Sequence, residues 1–189
     1  MNTAADAFDP LRSALESAGV RYAVGGSWAS TAFGEPRFTN DVDILADFTR
    51  ERLTRFLSIL PPAFFADAED ARDALALGRP FNVIHMPMAF KFDFFPARAF
   101  PLGSQELDRA VFLTASGLSE SPTPFVTAED ILLAKLHRFR EGCHVSEVQW
   151  RDIQGLVRCR RDSLDREYLA QSAARLELGV LLEKALREA

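Results

Sequence analysis

The sequence predicts an α+β fold: a small mixed β-sheet flanked by helices, followed by a helical C-terminal part. Apolar residues alternate with charged ones at Asp41-Val42-Asp43-Ile44 and at Lys91-Phe92-Asp93-Phe94, the period of strands with one buried face. Capping residues and glycine or proline stops frame helix-length stretches around these strands. Beyond Pro124 the strand signals end and one helix start follows another. The expected division is an α/β core over residues 1–123 and a helical subdomain over 124–189, with Ser121 to Pro124 as a linker or loop.

Taken in order, a first helix is expected after Asp9, with Pro10 at its first position and Gly19 as its stop. Leu11, Leu15 and Ala18 share its buried face. Arg21 to Val24 reads as a short strand, broken by Gly25-Gly26, after which Ser27 to Phe33 starts a helix. Asp41 to Leu45 is a strand, and Thr49 to Leu60 a helix stopped by Pro61-Pro62. Asp67 to Leu77 is a further helix ending at Gly78. Phe81 to Met86 and Phe90 to Phe95 are strands joined at Pro87. Leu102 to Pro124 is expected to be strand or irregular, with at most a short helix. Thr127-Ala128-Glu129-Asp130 resembles a capping box, with Gly142 as its stop, and Ser146 with Gln149 marks the next start. Leu164 to Leu176 and Leu178 to Arg187 complete the helical part.

Composition narrows the class. A chain of 189 residues with 48% apolar and 26% charged side chains can bury a core without disulfides. No apolar run approaches the ~20 residues that span a bilayer. The acidic Met1 to Pro10 stretch lacks a signal-peptide pattern. Cys143 and Cys159 lie outside metal-ligand spacing and read as reduced thiols, so a cytoplasmic location is expected. A net charge of −5 argues against a wholly basic nucleic-acid-coating surface. Locally, Lys135, Arg138, Arg140, Arg151, Arg158, Arg160 and Arg161 outnumber Glu141, Glu147 and Asp152. That stretch is either a set of solvated helix faces or a surface turned to a polyanion.

Three features carry chemistry. Gly25-Gly26-Ser27 breaks a strand and opens a helix, where backbone N–H groups bind anions and glycine admits a phosphate close to the chain. Asp41 and Asp43 project from one side of a strand anchored by Val42 and Ile44. Paired carboxylates repel, so burying them calls for a cation, and hard divalent ions take such oxygen donors. Asp93 interrupts a strongly β-forming aromatic run, with Lys91, Asp93 and Phe95 on one side and Phe92 and Phe94 on the other. Taken singly, a tight turn and two exposed strand edges explain the same residues.

In combination, the glycine-serine turn, the D-x-D strand and a third acid on a later strand resemble the polymerase-beta-type nucleotidyltransferase superfamily. The resemblance is nearest to the minimal and abortive-infection (AbiEii-type) nucleotidyltransferase-like proteins. It covers roughly Tyr22 to Phe95, and more loosely the helix with Lys135 and the segment Gln149 to Asp152. It implies that Asp41, Asp43 and Asp93 are catalytic and hold two Mg²⁺ (or Mn²⁺) ions. It implies that Gly25, Gly26 and Ser27 hold the phosphates of a nucleoside triphosphate donor. Arg37 and Lys135 are the weaker nucleotide-binding candidates. Arg37 could instead pair with the acids, and Lys135 could be an exposed helix residue.

The function so implied is transfer of a nucleoside monophosphate from the triphosphate to a hydroxyl on tRNA or other RNA, a protein or a small molecule. A toxin–antitoxin or phage-defence setting, with a cognate toxin or antitoxin as partner, belongs to the same expectation. The alternative is a catalytically silent nucleotide-binding or antitoxin-like partner protein of the same fold. A plain interaction protein would show no Mg²⁺-dependent nucleotide binding. Trp28, early in the helix after the turn, is bulky enough to restrict a nucleotide there.

Overall fold

The computed structural model describes residues 3–35, 39–142 and 145–189. Its α-helices and β-strands alternate through the first two thirds of the chain, and the last third is helical. The chain divides into two units: residues 1–26 with 39–126, and residues 27–38 with 127–189. Among the described residues no helix is long and apolar enough to cross a membrane.

The first unit is built on one seven-stranded sheet. Its strands are β1 (Tyr22–Val24), β2 (Asp41–Ala46), β3 (Phe64–Phe65), β4 (Phe81–His85), β5 (Phe90–Pro96), β6 (Val111–Ala115) and β7 (Ser119–Phe125). They lie in the order β3-β4-β5-β2-β1-β7-β6. The sheet is mixed: β2 runs parallel to β5 and β1 parallel to β7, while the remaining neighbours are antiparallel. The helices of this unit are α1 (Ala4–Ser17), α3 (Arg50–Ile59), α4 (Ala68–Ala76) and α5 (Gly103–Arg109).

Alternation along β2 and β5 decides which side of the sheet becomes core. Val42 and Ile44 are fully buried, as are their register partners Phe92 and Phe94. Phe94 meets Phe48, Phe56 and Phe81 at ring-centroid distances of 5.7, 5.5 and 5.2 Å. Phe92 meets Phe8 of α1 at 6.3 Å. Each fully buried ring contributes about 1.5–3 kcal/mol relative to exposure. This aromatic layer fixes the register, because a one-residue slip would bring Asp43 or Asp93 into it.

The helix starts follow from caps. Thr49 accepts from the Arg52 N–H, and Asp67 accepts from Glu69 and Asp70. The first helix departs from expectation by starting at Ala4 rather than after Asp9. Thr3 donates its N–H to the Asp6 carboxylate at 2.7 Å, a reciprocal start that lies upstream of Pro10. Pro10 therefore sits inside the helix, where its ring removes one backbone bond without ending it. Gly19, at φ +69°, stops the helix as expected. The uncertain stretch from Leu102 to Pro124 forms α5 and the hairpin β6–β7, and β3 is an added short edge strand.

The second unit contains α2 (Gly26–Phe33) from Ser27 onward, with α6 (Ala128–Glu141), α7 (Glu147–Arg160), α8 (Arg166–Arg175) and α9 (Gly179–Glu188). Thr127 and Ser146 cap α6 and α7 as predicted, accepting from Asp130 and Gln149. The α2 segment joins these helices by close packing: a Cβ built on Gly34 would lie 3.3 Å from the Leu156 backbone nitrogen, and Arg160 stacks on Phe33 at 5.0 Å. Asp130, fully buried, accepts from the hydroxyls of Thr127 and Tyr168. These bonds satisfy a carboxylate that would otherwise be costly to bury.

Candidate functional site

The three predicted acids occupy one face of the sheet, opposite the aromatic core. In the parallel register of β2 and β5, Asp43 pairs with Asp93 and Asp41 pairs with Lys91. Neighbouring strands are about 4.8 Å apart, so the four residues form a two-by-two block. All four are of intermediate exposure. The rows extend outward: Gly25 donates its N–H to the Asp43 carbonyl at 2.9 Å, and Asn82 of β4 lies opposite Asp93. Ile84 lies opposite Lys91.

The turn after β1 is shaped to this block. Gly26 has φ +52°, and a Cβ built there would lie 1.6 Å from Asp43 Oδ2. Only glycine fits both the left-handed backbone and the space that the carboxylate occupies. The sequence placed Gly26 near phosphates; the structure adds that it is packed on an acid.

Charge is organised around Lys91. Its ammonium lies 2.7 Å from Asp93 Oδ2. The hydrogen bond to Asp93 holds the ammonium above its ordinary pKa range; partial burial opposes this, and the charges of Asp93, Asp41 and Asp43 add to it. The Thr39 hydroxyl donates to Asp41 Oδ1 at 2.6 Å. Thr39, Lys91 and Asn82 were not singled out as site residues from sequence. For Lys91 the signal was available, since it sits two residues from Asp93 on the same strand face. Thr39 is likewise only two residues from Asp41, whereas Asn82 becomes a neighbour of Asp93 through strand pairing.

The chemistry of this donor set fits a divalent cation. It offers hard carboxylate oxygens on two adjacent strands, brought side by side by register, with a residue lacking a side chain at Asp43 Oδ2. As the side chains stand, no three His, Cys, Asp or Glu residues among those described converge as a ready-made metal cage. Asp93 Oδ2 is turned to Lys91 and Asp41 Oδ1 to Thr39.

Ser27 opens the second unit, and Arg37 lies outside the described residues, as do Cys143 and His144. Lys135 is on α6, with its ammonium 2.7 Å from Asp152 Oδ2 and both side chains 11% exposed. It is therefore not a solvated helix residue. Much of the basic stretch is likewise engaged within the second unit: Arg140 with the Leu176 carbonyl, Arg158 with Glu35, Arg160 with the Phe33 carbonyl and Arg161 with the Ala189 carbonyl. Trp28 is half-buried, with its indole Nε1 enclosed. A cavity of about 350 Å³ opens beside Ala46, Phe48, Arg50, Arg72, Pro96 and Arg98, at the far end of β2 from Asp41. It is not where the carboxylates lie.

By sequence, no family model and no curated protein matches the chain. By structure, the chain has a nucleotidyltransferase-like fold. It is similar to an antigenic nucleotidyltransferase-like protein from Paracoccidioides brasiliensis, with a TM-score of 0.58 and 17% identity over 98% of this chain and 92% of that one. It is also similar to ANT(2″)-Ia, solved in complex with adenylyl-2″-tobramycin, with a TM-score of 0.57 and 15% identity over 92% of this chain and 96% of that one. These likenesses support the predicted α+β class.

Proposed function

We propose that this protein is a nucleotidyltransferase that moves a nucleoside monophosphate from a nucleoside triphosphate to a hydroxyl acceptor. The observation that carries the reading is the block formed by Asp41, Asp43 and Asp93, with Asp43 beside Asp93 in register and Gly26 against Asp43. In this reading the three carboxylates hold divalent cations, Mg²⁺ or Mn²⁺. Such ions neutralise charge on the attacking and leaving oxygens of an in-line displacement. The acceptor oxygen bonds to the α-phosphorus, the bond to the β-phosphate oxygen breaks, and pyrophosphate leaves. Asp93 takes the hydroxyl proton. Gly25 and Gly26 let the phosphates approach the backbone. Ser27 and Lys135 belong to the other unit and remain sequence expectations, as does Arg37.

For the acceptor, the reading favours a small molecule over RNA. The RNA reading rested on the basic stretch, and Lys135, Arg140, Arg158, Arg160 and Arg161 have partners inside their own unit. ANT(2″)-Ia, similar in fold, was solved with an adenylylated tobramycin. That supports a polyhydroxylated acceptor here. A toxin–antitoxin setting rests on the sequence resemblance alone.

The test is pyrophosphate release with Mg²⁺, α-labelled nucleoside triphosphates and a panel of polyhydroxylated amines, with tRNA in a parallel arm. Label transferred to a panel member supports the reading. Asp41→Asn is expected to lower transfer more than about a hundredfold, the upper range for losing even an outer partner of a metal ligand. Unchanged turnover in that variant would sink the assignment. Nucleotide binding with no transfer to any acceptor would favour the silent binding protein.

A further inference from the structure

The carboxylate face carries its own cation, and that cation occupies an oxygen the proposed metal site needs. We propose that Lys91 is a resident counter-ion of this face, holding Asp93 in a metal-free arrangement and yielding it when a divalent cation binds. This inference rests on the functional reading above.

Geometry comes first. Lys91 and Asp93 are two residues apart on β5 and share a sheet face, so a lysine stem can fold along the strand to reach the acid. It does so, at 2.7 Å from Oδ2. Lys91 is also the direct register partner of Asp41, and Asp43 lies diagonally across the block. A strand face with three carboxylates at this spacing repels itself in the absence of a cation. An ammonium from the same face relieves that repulsion and keeps the apo protein folded with its acids gathered.

The same contact sets a competition. A divalent cation binds carboxylate oxygens at about 2.0–2.6 Å, depending on the ion. An ammonium hydrogen-bonded to Asp93 opposes it by charge and by occupation of Oδ2. The Lys91 side chain is 44% exposed, so it can leave toward solvent without repacking the core. The lysine thus keeps two requirements compatible: a stable protein without metal, and an acid cluster ready to receive it.

The test compares wild type with Lys91→Met and Lys91→Arg, using Mn²⁺ alone as the probe. Mn²⁺ affinity is read by electron paramagnetic resonance titration, and thermal midpoints are taken with and without the ion. Lys91→Met is expected to bind Mn²⁺ several-fold more tightly, to melt lower than wild type without metal and to recover with it. Lys91→Arg, which keeps a cation, is expected to stay near wild type in both. Unchanged or weaker Mn²⁺ binding in folded Lys91→Met would overturn the inference. If Lys91→Met fails to fold even with Mn²⁺, Lys91→Gln is titrated under the same criterion. Asp41→Asn separates the two levels. If it loses Mn²⁺ binding while the lysine variants match wild type, only the role of Lys91 falls. If Asp41→Asn binds Mn²⁺ like wild type, the metal site itself is wrong.

Discussion

A Cβ on Gly26 would sit 1.6 Å from Oδ2 of Asp43, so the turn that closes β1 and the acid at the centre of β2 cannot both tolerate a side chain there. Gly26→Ala therefore forces either the backbone or the Asp43 carboxylate to move. The left-handed backbone alone costs about 1–2 kcal/mol for a residue with a Cβ. The overlap adds to it. Urea denaturation is expected to show a loss of at least that size, together with weakened Mn²⁺ binding. A variant with wild-type stability would mean that this turn adopts another conformation.

Thr39 braces Asp41 through a 2.6 Å hydrogen bond, the position of an outer partner to a metal ligand. Thr39→Val keeps the shape and removes the hydroxyl. Loss of such a partner typically costs about 10–100-fold in metal affinity or activity. Mn²⁺ titration should show a drop within that range, with little change in thermal midpoint. An unchanged affinity would argue that Asp41 is oriented by the strand alone.

Lys135 and Asp152 form an ion pair that is mostly withdrawn from solvent. Removing one member breaks that pair, and breaking a buried pair costs about 3–5 kcal/mol. With both side chains 11% exposed, Lys135→Met is expected near the lower end. The double variant Lys135→Met/Asp152→Leu should recover much of the loss. A double-mutant cycle on denaturation midpoints checks this. If Lys135 instead serves chiefly to bind triphosphate, the single variant will keep its stability and lose nucleotide affinity.

Asp130 is fully buried at the start of α6 and takes a hydrogen bond from the Tyr168 hydroxyl. Tyr168→Phe removes that donor without opening a cavity. A buried acceptor left short of a partner costs about 1–3 kcal/mol. Chemical denaturation should register a loss of that order.

Much of the local structure was determined by the sequence itself. Alternation in Asp41-Val42-Asp43-Ile44 and Lys91-Phe92-Asp93-Phe94 set which side chains face the core, because a strand places neighbours on opposite faces. Thr49, Asp67, Thr127 and Ser146 marked helix starts through bonds made within three residues. Such signals are short-range, and a linear reading captures them. It misplaced the first helix because Pro10 outweighed the weaker Thr3–Asp6 start.

Tertiary structure decided the rest. Nothing in the order of residues sets Asp43 beside Asp93; that register follows from packing Val42 and Ile44 alongside Phe92 and Phe94 in one aromatic layer. Nor does spacing reveal that Asp152 takes the Lys135 ammonium across 17 residues. Polar partners are chosen by whichever donor folding brings within reach of a carboxylate being drawn out of water, and that choice exists only once the core has formed.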